Sequence, residues 1–122
     1  MPAAETTIVF LPRFTTLVGN GDFVTEPLDV SQFASAQFQV WADSFAAAET
    51  GTQVILYLEE SLDCEHWVLG ASAPKPYTLK PNKPKLFSYG FRLRWFRLRV
   101  NVRGAAEDNV GAVTCWAEGI LR

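Results

Sequence analysis

The sequence predicts an all-β protein: an antiparallel β-sandwich or jelly roll of about seven or eight strands, with an extended N-terminal arm. Two observations carry this prediction. Short segments of alternating apolar and polar residues recur along the 122-residue chain, and turn-forming residues separate them at roughly even spacing. The chain also contains nine Phe, four Trp and three Tyr, which are residue types that favour strands.

The first part of the chain predicts an arm followed by a short strand. Residues 1–16 combine a short apolar run with two prolines, so we interpret them as an extended arm, and residues 17–122 as a single sandwich domain. Residues 18–22 include an Asn-Gly pair, which readily adopts positive φ angles and predicts a turn. Residues 23–30 predict a strand in which Pro27 favours a sheet edge.

The middle of the chain has the clearest strand patterns. Residues 36–43 alternate, with apolar side chains on one face and Trp41 among polar residues on the other. Residues 53–60 form the most apolar segment. Residues 61–65 then predict a tight turn, and residues 66–71 a further strand.

Two basic segments follow in the second half. Residues 74–85 contain four prolines and four lysines, and predict a stiff basic loop of polyproline character. Residues 91–102 predict a strand whose arginines change parity midway, so we expect a β-bulge at Trp95 and Phe96. Residues 112–121 predict the closing strand.

Composition and charge limit the function classes. The net charge of -2 gives no global basis for binding nucleic acid or an anionic membrane surface. The N-terminus lacks a basic segment followed by a long apolar one, so we expect synthesis inside the cell without a signal peptide. No apolar run approaches the length of a membrane span. Cys64 and Cys115 are expected to be free thiols, although neighbouring strands would allow one bridge.

The densest group of ionisable residues spans Glu59 to His66. Cys64 and His66 beside a carboxylate suggest part of a metal site, but no second Cys/His pair completes four zinc ligands. We therefore expect a solvated turn, with no metal and no cofactor. His66 is the only histidine, and the sequence places no acid–base pair together, so we do not expect an enzyme.

The arginines of residues 91–103 have two interpretations. Arg97, Arg99 and Arg103 would bind phosphates while Trp95 stacks on bases. Alternatively, they cover an outer sheet face and meet carboxylates across strands or across a subunit boundary. The acidic balance of the whole chain favours the second interpretation, so we expect no nucleic-acid partner.

Two segments resemble known families. The sequence LYLEESLDCEHWVLG at residues 56–70 and RWFRLRV at residues 94–100 resemble signatures of discoidin-like sandwiches of the coagulation factor C-domain type. They also resemble small β-sandwich proteins of tailed bacteriophages, including decoration and head or tail accessory proteins. The chain lacks the longer N-terminal half and the export signal of the discoidin family, which favours the phage resemblance.

The phage resemblance implies a non-enzymatic structural protein of a phage-like particle, either a capsid decoration or a head–tail accessory subunit. The expected partners are other virion proteins, a major capsid or tail protein, and further copies of the chain, with the virion as location. The alternative is a carbohydrate- or ligand-binding module, in which Trp67 and Tyr77 would stack on sugar rings. The arm, the basic loop and the outward strand faces supply the expected partner-binding residues: Phe10, Pro12, Arg13, Trp41, Lys75, Tyr77, Lys80, Trp95, Arg97 and Arg99.

Overall fold

The computed structural model describes residues 5–44, 53–104 and 112–122. Within these residues there are ten strands, and no helix is long and apolar enough to cross a membrane. In chain order the strands are β1 (Thr6–Val18), β2 (Gly21–Val24), β3 (Leu28–Asp29), β4 (Ser35–Ser44), β5 (Gln53–Ser61), β6 (Val68–Leu69), β7 (Tyr77–Leu79), β8 (Lys85–Gly90), β9 (Trp95–Arg103) and β10 (Ala112–Leu121).

The strands form two antiparallel sheets that pack face to face. The front sheet has the order β1-β10-β4-β8. The back sheet has the order β2-β9-β5-β6, with β3 also paired to β9 and β7 to β5. The buried apolar side chains of both sheets form one core cluster, as in other sandwiches. The predicted all-β sandwich is therefore confirmed.

Alternate residues of the central strands fill the core between the sheets. Phe38 of β4 lies in an aromatic group, with its ring centroid 5.2 Å from Phe10 of β1 and 5.2 Å from Phe87 of β8. Phe96 of β9 approaches from the back sheet at 6.3 Å. Each large apolar side chain buried in this way contributes about 1.5–3 kcal/mol. These rings link both edges of the front sheet to the centre of the back sheet.

The N-terminal segment belongs to the front sheet from Thr6 onward, so the structure corrects the separate arm expected for residues 1–16. β1 pairs with β10 along its length, with register shifts between Val9 and Thr15. Phe10 and Leu17, which are seven residues apart, both face the core because these shifts change the parity of the strand. A continuous alternation was therefore absent from the sequence. Residues 1–4 lie outside the described residues.

The strand expected over residues 91–102 begins only at Trp95. Its register with β5 is continuous from Trp95 to Arg103, and Phe96 faces the core, so the expected bulge at Trp95 and Phe96 was wrong. Residues 91–94 instead connect β8 of the front sheet to β9 of the back sheet. The change of arginine parity marks this crossover between sheets.

Three other expected segments are divided or shortened. The strand expected over residues 23–30 is split into β2 and β3, which flank Pro27. The strand expected over residues 66–71 is reduced to β6. The basic loop at residues 74–85 contains one short strand, β7, which pairs with the first half of β5.

A buried carboxylate holds the crossover between β8 and β9. Glu60 of β5 is 1% exposed, and its Oε2 accepts a hydrogen bond from the Tyr89 hydroxyl at 2.6 Å. Its Oε1 accepts the backbone N–H groups of Arg92 and Leu93, at 2.7 and 2.8 Å. Burial and then the Glu60 hydrogen bond raise the pKa of Tyr89. Because Tyr89 belongs to the front sheet and Glu60 to the back sheet, this clamp joins the two layers.

Both cysteines are free thiols, which confirms the favoured interpretation. Cys64 is half-buried in the turn after β5. Cys115 is a buried residue of β10, and burial raises the pKa of its thiol to about 11. Cys64 follows a strand of the back sheet and Cys115 lies in the front sheet, and the two thiols do not form a bridge.

Candidate partner-binding surfaces

The outer face of the back sheet carries the arginine stripe. Arg97 and Arg99 point away from the core because they alternate with buried apolar residues of β9. The Nε atoms of Arg97 and Arg99 donate to different oxygens of Glu59, at 2.9 and 3.0 Å. Glu59 lies on the neighbouring strand β5 and is only 5% exposed. The two guanidinium groups therefore share one covered carboxylate.

Aromatic rings cover these guanidinium groups further. The Arg97 guanidinium carbon lies 4.2 Å from the centroid of Trp67, and that of Arg99 lies 3.7 Å from Tyr57. Such cation–π contacts each stabilise by about 0.5–2 kcal/mol, depending on exposure. One face of the Trp67 ring is thus occupied by an internal cation, which removes it as a stacking face for a sugar.

The network continues to β2 through Asp22. Its carboxylate accepts hydrogen bonds from Asn101 at 2.8 Å and from Arg99 at 3.2 Å. The pKa of Asp22 is held below its usual range mainly by the hydrogen bond from Asn101 and, to a smaller extent, by the positive charge of Arg99. Arg103 donates to the amide oxygen of Asn101 at 2.9 Å. Arg97 and Arg99 therefore meet carboxylates across strands, as the second interpretation of the stripe expected, whereas Arg103 bonds an amide of its own strand.

The outer face of the front sheet presents two tryptophans. Trp41 of β4 and Trp116 of β10 are directly opposite each other, with rings 14° from parallel and centroids 6.4 Å apart. The Arg13 guanidinium lies 4.5 Å from the Trp116 ring, and its Nε donates to Glu118 at 3.2 Å. On the other side, the Trp41 indole N–H donates to the Asn82 side chain at 3.1 Å. The aromatic pair is thus held between a cation and an amide.

A second row of side chains crosses all four strands of the front sheet. The pairing aligns Val9 with Glu118, Glu118 with Gln39, and Gln39 with Leu86. These residues line a shallow surface depression. Val9 and Leu86, at its two sides, are 55% and 62% exposed. We call this row, together with Arg13, Trp41 and Trp116, the front face.

The structure separates the partner-binding residues expected from the sequence. Phe10 is buried against Phe38 in the core, so its assignment to a partner surface was wrong: β1 turns this side chain inward. Pro12 and Arg13 are exposed on the same strand, beside the tryptophan pair. Trp95 is half-buried and belongs to the back sheet, whereas Pro12 and Arg13 belong to the front sheet.

The remaining expected residues lie around β7. Lys75 and Lys80 are exposed, whereas Tyr77 is half-buried. The Tyr77 ring packs edge-on against Phe87 at 4.9 Å, and the Lys85 ammonium lies 5.8 Å from its centroid. Tyr77 is therefore part of the packing beneath the basic loop as well as part of its surface.

Among the described residues, one group of side chains has the spacing of a metal site: Asp63, Glu65 and His66. The Asp63 carboxylate already accepts the backbone N–H groups of His66 and Glu65, at 2.8 and 2.9 Å, and contacts the His66 ring nitrogen at 2.7 Å. These hydrogen bonds hold the pKa of Asp63 well below its usual range, and the largest contribution comes from the backbone N–H of His66. All three residues are exposed, so the group has the geometry of the expected hydrogen-bonded turn.

The sequence analysis missed Trp116 and Glu118. Both share the parity of Thr114 in β10, which alternates with the buried residues of that strand. This signal was present in the sequence. Their proximity to Trp41 was not, because it depends on the pairing of β10 with β4, two strands that are distant along the chain.

Comparison with known proteins gives a fold and no family. No family model and no curated protein matches the chain. The chain is similar to the PBSX exported protein XepA, with a TM-score of 0.61 and 10% identity, over 93% of this chain and 36% of that one. The chain therefore spans about a third of XepA, and the likeness shows a shared fold.

Two further solved structures align with lower TM-scores. A family two carbohydrate esterase from Cellvibrio japonicus has a TM-score of 0.38 and 10% identity, covering 97% of this chain and 33% of that one. The acidic stable capsid of Helicobacter pylori bacteriophage KHP30 has a TM-score of 0.28 and 12% identity, covering 95% of this chain and 93% of that one. Neither likeness is close enough to support an argument about this chain.

Proposed function

We propose that the chain is a non-enzymatic structural subunit of a phage-like particle, a capsid decoration or head–tail accessory protein. It is made in the host cytoplasm and docks through its front face on a major capsid or tail protein, beside further copies of itself. The observation that carries this proposal is the front face itself. Its tryptophan pair and the exposed Val9 and Leu86 are surface features typical of a protein interface.

The composition of the front face supports protein binding. Arg and Trp are enriched among the residues that dominate binding energy, and Arg13, Trp41 and Trp116 lie together there. Polar groups such as Gln39 and Glu118 alternate with the apolar ones, as at the rim of a non-obligate interface. The sandwich fold on which the proposal depends is shared with part of the PBSX exported protein XepA.

The absence of enzymatic activity is part of the proposal. His66, the single histidine, is exposed on a turn, and its ring nitrogen contacts Asp63. Cys115 is buried with a raised pKa, so its thiol is a poor nucleophile at neutral pH. In the part of the chain that the structure describes, no hydrogen bond joins His66 to a serine or cysteine side chain.

The test introduces negative charges at exposed apolar positions. Val9→Glu/Leu86→Glu alters the front face, and Val24→Glu/Val68→Glu adds the same charge at exposed positions of the back sheet. Native lysate of the source is fractionated by size, and the protein is quantified by mass spectrometry against the major shell or tube protein. We expect wild type and the back-sheet variant to co-elute with megadalton particles at a fixed ratio. The front-face variant should elute as a small species, and its continued co-elution would overturn the proposal.

A carbohydrate-binding module is the second candidate. The observation that favours it is the Trp41–Trp116 pair flanked by the amide of Gln39, since sugar sites combine aromatic stacking surfaces with hydrogen-bonding side chains. Titration with a panel of oligosaccharides, monitored by tryptophan fluorescence, tests this candidate. A saturable shift that Trp41→Ala abolishes would favour the module, whereas no shift with any sugar would remove it.

A further inference from the structure

A second depression lies between β7 and the start of β8. We call it the lysine pocket. Its apolar lining comes from Tyr77, Leu79 and Pro84, and its basic lining from Lys80, Lys83 and Lys85. All three lysines are exposed. The pocket therefore combines three positive charges with apolar walls.

The lysines of the pocket form no ion pair among the described residues. All four lysines of the chain lie between residues 75 and 85, and no acidic residue lies between Glu65 and Glu107 in the sequence. Among the described residues, every ion pair is formed by an arginine or by His66, and none by a lysine. Within residues 5–44, 53–104 and 112–122, most arginines are therefore paired internally, whereas the lysines are exposed.

Hydrogen bonds to strand β4 fix the backbone of the turn that carries these lysines. The backbone N–H of Asn82 donates to the Ala42 carbonyl at 3.0 Å, and the Asn82 side chain accepts the Trp41 indole N–H at 3.1 Å. The Lys83 N–H donates to the Lys80 carbonyl at 3.3 Å, and Asn82 has a φ of 55°. Prolines on both sides restrict φ further. Because the backbone is held in advance, binding at the pocket would order only side chains.

We infer that the lysine pocket binds an acidic segment of a protein partner. A glutamate side chain has its charge at the end of an apolar stem. Its carboxylate would meet the lysine ammonium groups while its methylenes contact Tyr77 and Leu79. Single-stranded nucleic acid would also need a free aromatic stacking surface. Among the described residues that line the pocket, Tyr77 is the aromatic one, and its ring is packed against Phe87 and Lys85. The inference rests on the proposed function in taking the partner to be a protein.

The test measures binding of a fluorescein-labelled hexaglutamate peptide to the full chain by fluorescence anisotropy at low salt, where exposed charges are least screened. The test variant is Lys80→Gln/Lys83→Gln/Lys85→Gln. The control, Lys75→Gln/Arg92→Gln/Arg103→Gln, removes the same three charges from exposed side chains outside the pocket. We expect the test variant to weaken binding about tenfold and the control less than about twofold. A factor of ten is about 1.4 kcal/mol, or roughly 0.5 kcal/mol for each exposed ion pair.

Each other outcome would overturn the inference. Equal weakening in both variants would mean that only net charge matters, and absence of peptide binding would mean that the pocket is not a carboxylate site. Tighter binding of an oligothymidylate or of polyglucuronate would assign the pocket to nucleic acid or to an acidic glycan. The assay uses no particle, so the inference can fail while front-face attachment succeeds, and the reverse.

Discussion

Removal of the Glu60 carboxylate should destabilise the sandwich more than any exposed substitution. Glu60→Ala leaves three donors without a partner: the Tyr89 hydroxyl and the backbone N–H groups of Arg92 and Leu93. A hydrogen bond to a charged group contributes about 1.5–3 kcal/mol, and an unsatisfied buried donor costs about 1–3 kcal/mol. Because the contributions overlap, we expect the free energy of unfolding to fall by roughly 3–5 kcal/mol, which is less than the sum of three such bonds.

Urea denaturation monitored by circular dichroism measures this change. Glu60→Gln is the conservative variant, since its amide oxygen still accepts the two backbone N–H groups, and we expect a loss of about 1–2 kcal/mol. Glu26→Ala, at an exposed position, is the matched control and should change the free energy of unfolding by less than about 0.5 kcal/mol. If Glu60→Ala fails to fold, the conservative variant still gives a measurable value. A loss below about 1 kcal/mol for Glu60→Ala would refute the clamp.

Three further predictions concern packing and titration. In Gly119→Ala the new Cβ would collide with the Gln37 carbonyl oxygen of the neighbouring strand, so the melting temperature should fall by several degrees or more; an unchanged value would contradict the close approach of β10 and β4. Hydrogen bonds from Ser31 and, as a smaller contribution, the ion pair with Arg94 lower the pKa of Asp29 to about 2. The unfolded chain, titrating near 3.9, takes up this proton first, so stability present above about pH 4 is lost as pH falls to about 2. The difference in urea midpoint between wild type and Asp29→Asn should therefore shrink over that interval, and a constant difference would contradict it. At pH 8, Cys115 should react with a thiol reagent roughly a hundredfold more slowly than a small-molecule thiol whose pKa is about 9, because burial raises its pKa to about 11; an equal rate would contradict this.

Strands with one continuous parity were predictable from the sequence. β4 and the part of β9 after Phe96 bury the residues that their alternation indicates, because each strand lies flat between one core and one solvent face. β1 was not predictable in the same way. Its register shifts between Val9 and Thr15 move the inward parity, so a two-residue period does not persist along it.

The crossover at residues 91–94 shows a second limit of sequence patterns. A change of arginine parity fits either a bulge within one strand or a connection between two sheets. The contact that distinguishes them is the Glu60 carboxylate, which binds the backbone of Arg92 and Leu93. Glu60 lies more than 30 residues earlier in the chain, where it reads as one of two adjacent acidic residues of a strand end. Its burial depends on tertiary packing.

The candidate site was also only partly predictable from the sequence, because its residues come together through tertiary packing. The outward parity of Trp41 in an alternating strand identified it as a surface aromatic, and the front face contains it. Phe10 was assigned to the surface because the arm was taken to lie outside the domain. Trp116 was missed because its neighbour across the sheet, Trp41, comes from a strand that the sequence does not place beside it.

The two outer faces of the sandwich differ in the groups that a binding partner would remove from water. On the back sheet, Glu59 is covered by Arg97 and Arg99, whose guanidinium groups also contact aromatic rings. A protein that bound there would desolvate charges whose internal pairs are already formed, which gives little new attraction. On the front face, burial of Val9 and Leu86 removes apolar surface from water. The Arg13–Glu118 pair also lies there, but its side chains are 57% and 33% exposed, so a partner finds it less covered than the pairs of Glu59. Partner binding should therefore concentrate on the front face, with the arginine stripe of the back sheet serving stability.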